Sequence, residues 1–198
     1  AAFVLTAAML ITLTAPAFAD TWCIENGNIT VKAGDTEGTN KVSQGSIIDR
    51  EDTNTIITNQ KTDTASSHTV TIDAGNDKVE VTLDNVNIKA DSGSALTSNG
   101  DVTLTLKGDN HLTGGNGDTY GGDGITSSGS LTISGGTVTA NGGDGGSGGG
   151  SGIYSSDIDL SGSLELTAKA GSPNGKALLQ AGHELDLDTI KDKLGPGA

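Results

Sequence analysis

Hydrophobic residues recur along the second half of the chain at nearly constant spacing, and apolar and polar positions alternate inside each repeat. Three series carry the pattern: Val86, Leu112, Val138 and Leu164; Val81, Val102, Leu131, Ile158 and Leu185; and Leu96, Ile125, Ile153 and Leu178. Members of the first series are 26 residues apart. A repeat of this length with strand periodicity is typical of a solenoid whose coils contribute short strands. We therefore expect each series to form one vertical column of buried side chains.

The predicted fold is all-β: a right-handed, single-stranded parallel β-helix with three short strands per coil. In segments such as 102–106 (VTLTL) and 130–134 (SLTIS), aliphatic residues alternate with polar ones, which places the aliphatic side chains inside. The handedness follows from the strong preference of parallel crossover connections. We assign residues 66–187 to the β-helix repeats, 20–65 to an N-terminal cap with irregular first coils, and 188–198 to a C-terminal cap or a truncated end.

The first 19 residues contain no charged side chain and end in Ala-Phe-Ala, a small-x-small sequence preceded by Pro16. This pattern is typical of a signal peptide that is cleaved before Asp20. The alternative is a membrane anchor, since the stretch nearly reaches the about 20 residues that span a bilayer. We expect residues 1–19 to be a signal peptide, with secretion and no membrane insertion after cleavage.

Charge and cysteine content narrow the function classes. With 25 acidic and 11 basic residues the formal net charge is −14, which argues against nucleic acid or an anionic membrane as partner. Cys23 is the only cysteine, which excludes a disulfide framework and a cysteine metal cluster. A lipid-attachment cysteine normally follows a small residue, whereas Trp22 precedes this one, so a free surface thiol is expected.

Glycine-rich connections follow the second strand of successive coils, in segments 89–94, 114–124, 141–152 and 167–176. Equal coil spacing would stack these connections along one edge of the solenoid. We expect their glycines to supply the positive φ angles of tight turns. Two interpretations stay open: a ligand- or calcium-binding edge, or turn chemistry alone, since Gly, Asp and Asn are the usual residues of tight turns.

This edge also holds the candidate ligand-binding residues. Calcium takes about six to eight oxygen ligands, and the candidate metal ligands are Asp91, Asp118, Asp123 and Asp144. Sugar binders stack rings on aromatic side chains and hydrogen-bond hydroxyls, so the candidate carbohydrate-binding residues are Tyr120, Tyr154, Asn116 and Asn141. Ordinary solvent-facing tyrosines are the alternative interpretation.

Paired acids on strands raise the question of catalysis. Asp157 with Asp159, and Asp186 with Asp188, each share the outer face of a strand at about 6.5–7 Å, near the spacing of glycosidase carboxylates. Outward acids are also normal on solvated strands. Arg50 is the only arginine, so the basic residues of a β-helical lyase are missing. We expect no enzyme.

Two longer segments resemble a known family. The coil GDGITSSGSLTISGGTVTANGG (122–143), echoed at 92–115 and 150–171, and the strand VEVTLDNVNI (79–88) resemble the secreted parallel β-helix carbohydrate-binding proteins of bacteria. The likeness implies a right-handed β-helix, binding to polysaccharides such as cellulose or acidic pectin, and calcium held by loop carboxylates. Adhesin passengers use similar coils. The G-D-G-I coil start occurs once, at 122–125, and becomes G-S-G-I at 150–153.

These observations predict a secreted, monomeric, non-catalytic carbohydrate-binding protein, extracellular or on the surface of a bacterium. Its partner would be a polysaccharide, bound through the strand face and the edge loops, with calcium as the candidate cofactor. The main alternative is a structural or adhesive solenoid segment of a larger bacterial surface protein. A polysaccharide lyase or hydrolase is the third.

Overall fold

The computed structural model of the protein describes residues 19–185. Strand accounts for 59% and helix for 2%, in stacked parallel coils that form a β-solenoid of about 4 turns. This confirms the predicted fold class. Of the predicted signal peptide only Ala19 is described, and the predicted C-terminal segment 188–198 lies outside the described residues.

The regular secondary structure of the described residues consists of strands and one short 3-10 turn. The strands are β1 (Thr21–Cys23), β2 (Ile29–Ala33), β3 (Asn40–Gln44), β4 (Ile47–Asp52), β5 (Thr55–Thr58), β6 (Val70–Asp84), β7 (Asn87–Lys89), β8 (Leu96–Lys107), β9 (Asp109–Thr113), β10 (Ile125–Ser134), β11 (Thr137–Asn141), β12 (Ile153–Ser161), β13 (Glu165–Lys169), β14 (Leu178–Gln180) and β15 (His183–Glu184), and the 3-10 turn is η1 (Ile24–Asn26). One sheet has the order β15-β14-β12-β10-β8-β6-β2-β3-β4, with β5 on β6 and β1 on β5; a second has the order β13-β11-β9-β7.

Each full coil consists of one long strand and one short strand. The predicted third strand of one coil and first strand of the next are continuous, as in β8, where the chain bends at Gly100. Gly100 has φ +80° and Gly75, at the matching bend of β6, has φ +58°, a conformation that suits glycine. Three strand segments per coil are thus present, two of them joined through a bend.

The register confirms one of the three predicted columns. Leu96 pairs with Ile125, Ile125 with Ile153, and Ile153 with Leu178, all in parallel. The column continues toward the N-terminus through Val70. All these side chains are buried, so they form part of a single aliphatic core.

The column predicted from Val86, Leu112, Val138 and Leu164 is wrong in register by two residues. All four side chains are fully buried, but Leu112 pairs with Ala140, and Val138 pairs with Asn110. The second series is displaced in the same way only at its start, because Val81 pairs with Leu104 and not with Val102; Val102, Leu131 and Ile158 pair as predicted. A shift of two keeps a side chain on the inner face of a strand, so alternation alone does not reveal the error.

Asn110 explains why the aliphatic pattern does not show the shift. It occupies an inner position with no exposed surface, so a polar residue stands where the repeat would have an aliphatic one. Its Oδ1 accepts the N–H of Val86 at 2.9 Å, and its Nδ2 donates to the carbonyls of Lys107 at 3.1 Å and Thr137 at 3.2 Å. A buried amide is tolerated because three backbone groups satisfy it.

The last predicted coil strand, 184–188, takes a different course. Strand β15 pairs antiparallel with β14, through Leu179 with Glu184 and Gln180 with His183. The reversal occurs at Ala181 and Gly182, whose φ angles are +49° and +79°, as in a two-residue hairpin turn. Leu185 still packs against the core. Residues 186–188 lie outside the described residues.

An N-terminal cap, defined here as β1–β5, covers the start of the coils. Parallel pairing already begins in it, since β1 pairs with β5, and both β2 and β5 pair with β6. Strands β2, β3 and β4 form an antiparallel meander at the end of the sheet. Residues 60–65, between β5 and β6, are exposed.

Candidate functional site

The connections 114–124 and 141–152 lie directly on each other and are called the loop stack below. Isolated parallel bridges join Gly117 to Gly145 and Tyr120 to Gly148. The N–H of Gly117 donates to the Asp144 carbonyl at 2.9 Å, so backbone groups hold the two layers together. The edge predicted from equal coil spacing is therefore formed.

A continuous series of backbone hydrogen bonds between glycines, the glycine ladder, runs through the base of the loop stack. Starting from the carbonyl of Gly93, each N–H donates to the carbonyl of the preceding member, at 2.8 to 3.1 Å, in the order Gly115, Gly122, Gly143, Gly150, Gly171 and Gly175. Successive hydrogen bonds of the ladder alternate: one joins the two sides of the same loop, and the next joins that loop to the following coil. It ties four successive connections into one hydrogen-bonded unit.

The reason for glycine in the loop stack is close approach of backbones. A Cβ on Gly122 would clash with the carbonyl of Gly93, and one on Gly143 with the carbonyl of Gly115. Within the loop stack the glycines have no positive φ; Gly93 in the preceding loop does, at +68°. The expectation of positive-φ turns is therefore wrong here, because space between layers is the limiting factor.

Two predicted site residues form a second ladder from coil to coil. The Oδ1 of Asn116 accepts the N–H of Asp144 at 2.9 Å, and the Oδ1 of Asp144 accepts the N–H of Ser172 at 2.7 Å. Both side chains are exposed. Their present hydrogen bonds fix the spacing of the layers, which is the turn-chemistry role that the sequence left open.

Asp123 links three coils at the point where the loop stack enters β10. Its Oδ2 accepts the hydroxyl of Thr126 at 2.7 Å, and its Oδ1 accepts the N–H of Ser151 on the following coil at 2.5 Å. Thr126 is in turn 2.7 Å from the hydroxyl of Ser94 on the preceding coil. Both carboxylate oxygens are thus already hydrogen-bonded.

The remaining polar candidates lie apart from these ladders. Asp91 and Asp118 are exposed. Asn141 ends β11, and its Nδ2 donates to the Thr113 hydroxyl at 3.2 Å, while its Oδ1 is buried with no partner among residues 19–185. Across that range, no group of three or more His, Cys, Asp or Glu side chains could hold a metal ion. Calcium binding stays a prediction without an assembled ligand set.

Tyr120 lies within the loop stack, and Tyr154 lies on β12, which directly follows the loop stack in the chain. Tyr120 is 73% exposed, and its ring lies over Gly148, where an added Cβ would be 3.1 Å from the ring. Tyr154, half-buried on β12, pairs with Thr126 of β10. Thr126 pairs in turn with Thr97, so Tyr154 continues an outward column of threonines beside the loop stack.

Of the paired strand acids, Asp157 serves a coil-to-coil role. Its carboxylate accepts the Ser130 hydroxyl at 3.5 Å and the Gln180 amide at 3.1 Å. The pair Asp186 and Asp188 lies outside the described residues. An outward acid on a solvated strand, the alternative to a catalytic pair, therefore accounts for the contacts of Asp157.

The thiol of Cys23 is buried, which corrects the expectation of a surface thiol. Its Sγ donates to Oε2 of Glu25 at 2.7 Å. Burial, and next the hydrogen bond to Glu25, raise the pKa of Cys23. Burial opposes ionisation of Glu25, but the bonds from Cys23 and from the Lys61 N–H outweigh it and lower its pKa. A neutral buried thiol is a poor nucleophile.

Sequence reasoning missed a polar cavity of about 510 Å³ between the cap and the first coil. It is lined by residues 33–40, 53–54, 77–78 and 80. One wall is the β2–β3 loop, where the Thr39 hydroxyl donates to Glu51 at 3.0 Å. The cavity falls between non-repetitive segments, so periodicity offered no signal for it.

Comparison with known proteins adds no assignment. No protein-family model matches the chain, and neither a curated protein nor a solved structure shows significant similarity to it. Between residues 19 and 185, no helix has the length and apolar character needed to cross a membrane.

Proposed function

We propose that the protein is a secreted, non-catalytic carbohydrate-binding solenoid that binds a polysaccharide along the loop stack and the outward column that includes Thr97, Thr126 and Tyr154. The observation that supports this most is the placement of Tyr120. Its ring is 73% exposed at the outer part of a hydrogen-bonded loop stack. A rigidly supported aromatic ring is the usual platform for a sugar.

Preorganisation supports the same proposal. The loop stack is held by backbone hydrogen bonds between consecutive layers and by the Asn116 and Asp144 side chains. Little ordering is then required when a ligand binds, which favours affinity. Thr71 and Thr97, which are exposed on neighbouring coils of the same outward column, offer hydroxyls at the coil spacing of roughly 4.8 Å, which suits an extended chain of hydroxylated rings.

The test is binding of the protein to insoluble and soluble polysaccharides, measured by pull-down and affinity electrophoresis. Tyr120→Ala should weaken binding roughly tenfold, because the stacking surface is removed. Ile48→Ala is the matched control, since Ile48 is 70% exposed on β4, in the cap. A chelator arm tests the calcium prediction, and release of reducing sugar would indicate an enzyme. Unchanged binding after Tyr120→Ala and Tyr154→Ala would reject the proposed surface.

A structural role is the second candidate, and a specific observation favours it. The side-chain oxygens of Asn116, Asp123 and Asp144 all accept hydrogen bonds from backbone N–H groups of neighbouring coils. A spacer or adhesive solenoid needs this reinforcement and no ligand. Failure of the unmodified protein to bind any polysaccharide in the same assay would favour this role.

A further inference from the structure

Five Asn-Gly sequences occur in the described chain, at Asn26, Asn99, Asn116, Asn141 and Asn174. In such a pair the glycine nitrogen can attack the asparagine side chain, since glycine has no side chain in the way. The five pairs differ in the hydrogen bonds that hold the asparagine side chain and the glycine N–H. We infer that Asn26 is a site of spontaneous deamidation, and that the coil-to-coil hydrogen bonds protect the pairs of the loop stack.

The reaction needs only water. The nitrogen of Gly27, losing its proton to water or base, attacks Cγ of Asn26, and the new N–C bond forms as the side-chain amide leaves as ammonia. Water then opens the cyclic imide at either carbonyl. The product is aspartate, or isoaspartate with one extra carbon in the main chain, and no electrons are exchanged.

The attacking nitrogen is well restrained in the loop stack. The N–H of Gly117 donates to the Asp144 carbonyl at 2.9 Å, and the N–H of Gly142 donates to the Lys169 carbonyl at 2.9 Å. The side chains are held as well, since Asn116 accepts the N–H of Asp144. The attack requires these hydrogen bonds to break first.

Asn99 and Asn174 are restrained in part. Asn99 lies in β8, donates to Asp73 at 3.1 Å and accepts the Ser128 hydroxyl at 3.0 Å. The N–H of Gly175, which follows Asn174, donates to the Gly171 carbonyl at 3.1 Å. Both pairs therefore retain at least one short hydrogen bond.

At Asn26 the attacking nitrogen lacks comparable restraint, although the carbonyl of Gly27 accepts Gln44 Nε2 at 2.9 Å. Asn26 is exposed at the end of η1, and the N–H of Gly27 reaches the Ile24 carbonyl only at 3.4 Å, beyond the usual range of a protein hydrogen bond. Deamidation there adds a negative charge beside Glu25. The isoaspartate product also lengthens the main chain just before β2, whose Ile29 pairs with Val70.

The experiment is peptide mapping by mass spectrometry during incubation of the folded protein at mildly alkaline pH. Asn26 should convert roughly tenfold faster than Asn116 and Asn141, because one or two net hydrogen bonds separate them. In denaturant all five sites should convert at similar rates, which is the internal control. Asn26→Gln should remove the first conversion and Asn174→Gln should leave it. Equal rates at Asn26 and Asn116 in the folded protein, or faster conversion at Asn174, would overturn the inference.

Discussion

The N-terminal cap and the loop stack both lie outside the regular coils, and different kinds of contact predominate in them. In the cap, buried polar side chains bind backbone groups. The carboxylate of Asp52, with no exposed surface, accepts Trp22 Nε1 at 2.8 Å and the backbone N–H of Asp20 and Asn54 at 3.1 and 3.0 Å. In the loop stack, hydrogen bonds between the backbone groups of glycines predominate, and the side chains of Asn116, Asp123 and Asp144 add to them.

This difference determines which substitutions each region can accept. The antiparallel meander of the cap does not stack on a copy of itself, so side chains such as Gln44, which donates to the Cys23 and Gly27 carbonyls at 2.7 and 2.9 Å, satisfy its buried groups. In the loop stack the adjacent layer satisfies those groups. Removing a side chain should therefore harm the cap, and adding one should harm the loop stack.

The largest expected effect is from removing the central side chain of the cap. Asp52→Ala should lower the free energy of unfolding by about 3 kcal/mol, because the buried Trp22 Nε1 and two part-buried backbone N–H groups lose their acceptor. Urea unfolding followed by Trp22 fluorescence measures it. Asp101→Ala, at an exposed position of β8, is the matched control and should change stability by less than about 0.5 kcal/mol. A loss below about 1 kcal/mol for Asp52→Ala would contradict the proposed role of the cap side chains.

A smaller effect is expected from adding a methyl group to the loop stack. Gly143→Ala should cost about 2 kcal/mol, since its Cβ would meet the Gly115 carbonyl and the layers would have to separate. Gly148→Ala is the control, because its Cβ would meet only side-chain atoms of the exposed Tyr120 ring, at 3.1 Å, and no backbone atom. Chemical denaturation of both variants distinguishes them, and equal stability would mean that backbone approach does not limit the loop stack.

The smallest effect concerns pH and returns to the cap. Because burial raises the pKa of Cys23, the thiol is neutral in both states below its usual pKa near 8.5, and stability is complete there. As pH rises further, the unfolded thiol ionises first and stability declines until the folded pKa is reached. Urea midpoints at neutral and alkaline pH should differ more in the unmodified protein than in Cys23→Ala. Identical differences would show that Cys23 does not contribute to alkaline destabilisation.

The coils were predictable from sequence because aliphatic alternation and stacking have one physical cause. The column from Leu96 to Leu178 follows directly from it. The predicted register of the neighbouring column was wrong by two residues, because Ala140 and Asn110 occupy inner positions and do not belong to the series of large aliphatic residues. The antiparallel pairing of β15 was not predicted, because a single hairpin turn at Ala181 and Gly182 reverses an otherwise repetitive segment.

The candidate site was predictable only in outline. Equal spacing placed Asn116, Tyr120 and Asp144 on one edge, as the bridges between layers show. Spacing does not reveal whether a carboxylate is available to a ligand or already accepts an N–H, as Asp144 does. The contact of Asp52 with Trp22 joins residues 30 apart outside any repeat, so no periodic signal predicted it, and none predicted the burial of Cys23.

The glycine ladder has a consequence for how such a protein can change over time. Each loop is a template for the loop above it, because every layer supplies carbonyls at positions that the next layer must match. Shifting a ladder glycine in one layer alone would displace the donor that its neighbour needs, whereas the stretch between two ladder glycines does vary, from Gly115–Gly122 to the shorter Gly171–Gly175. Growth by copying an entire coil preserves the match, so the molecule can lengthen in whole units while its outer loop tips vary.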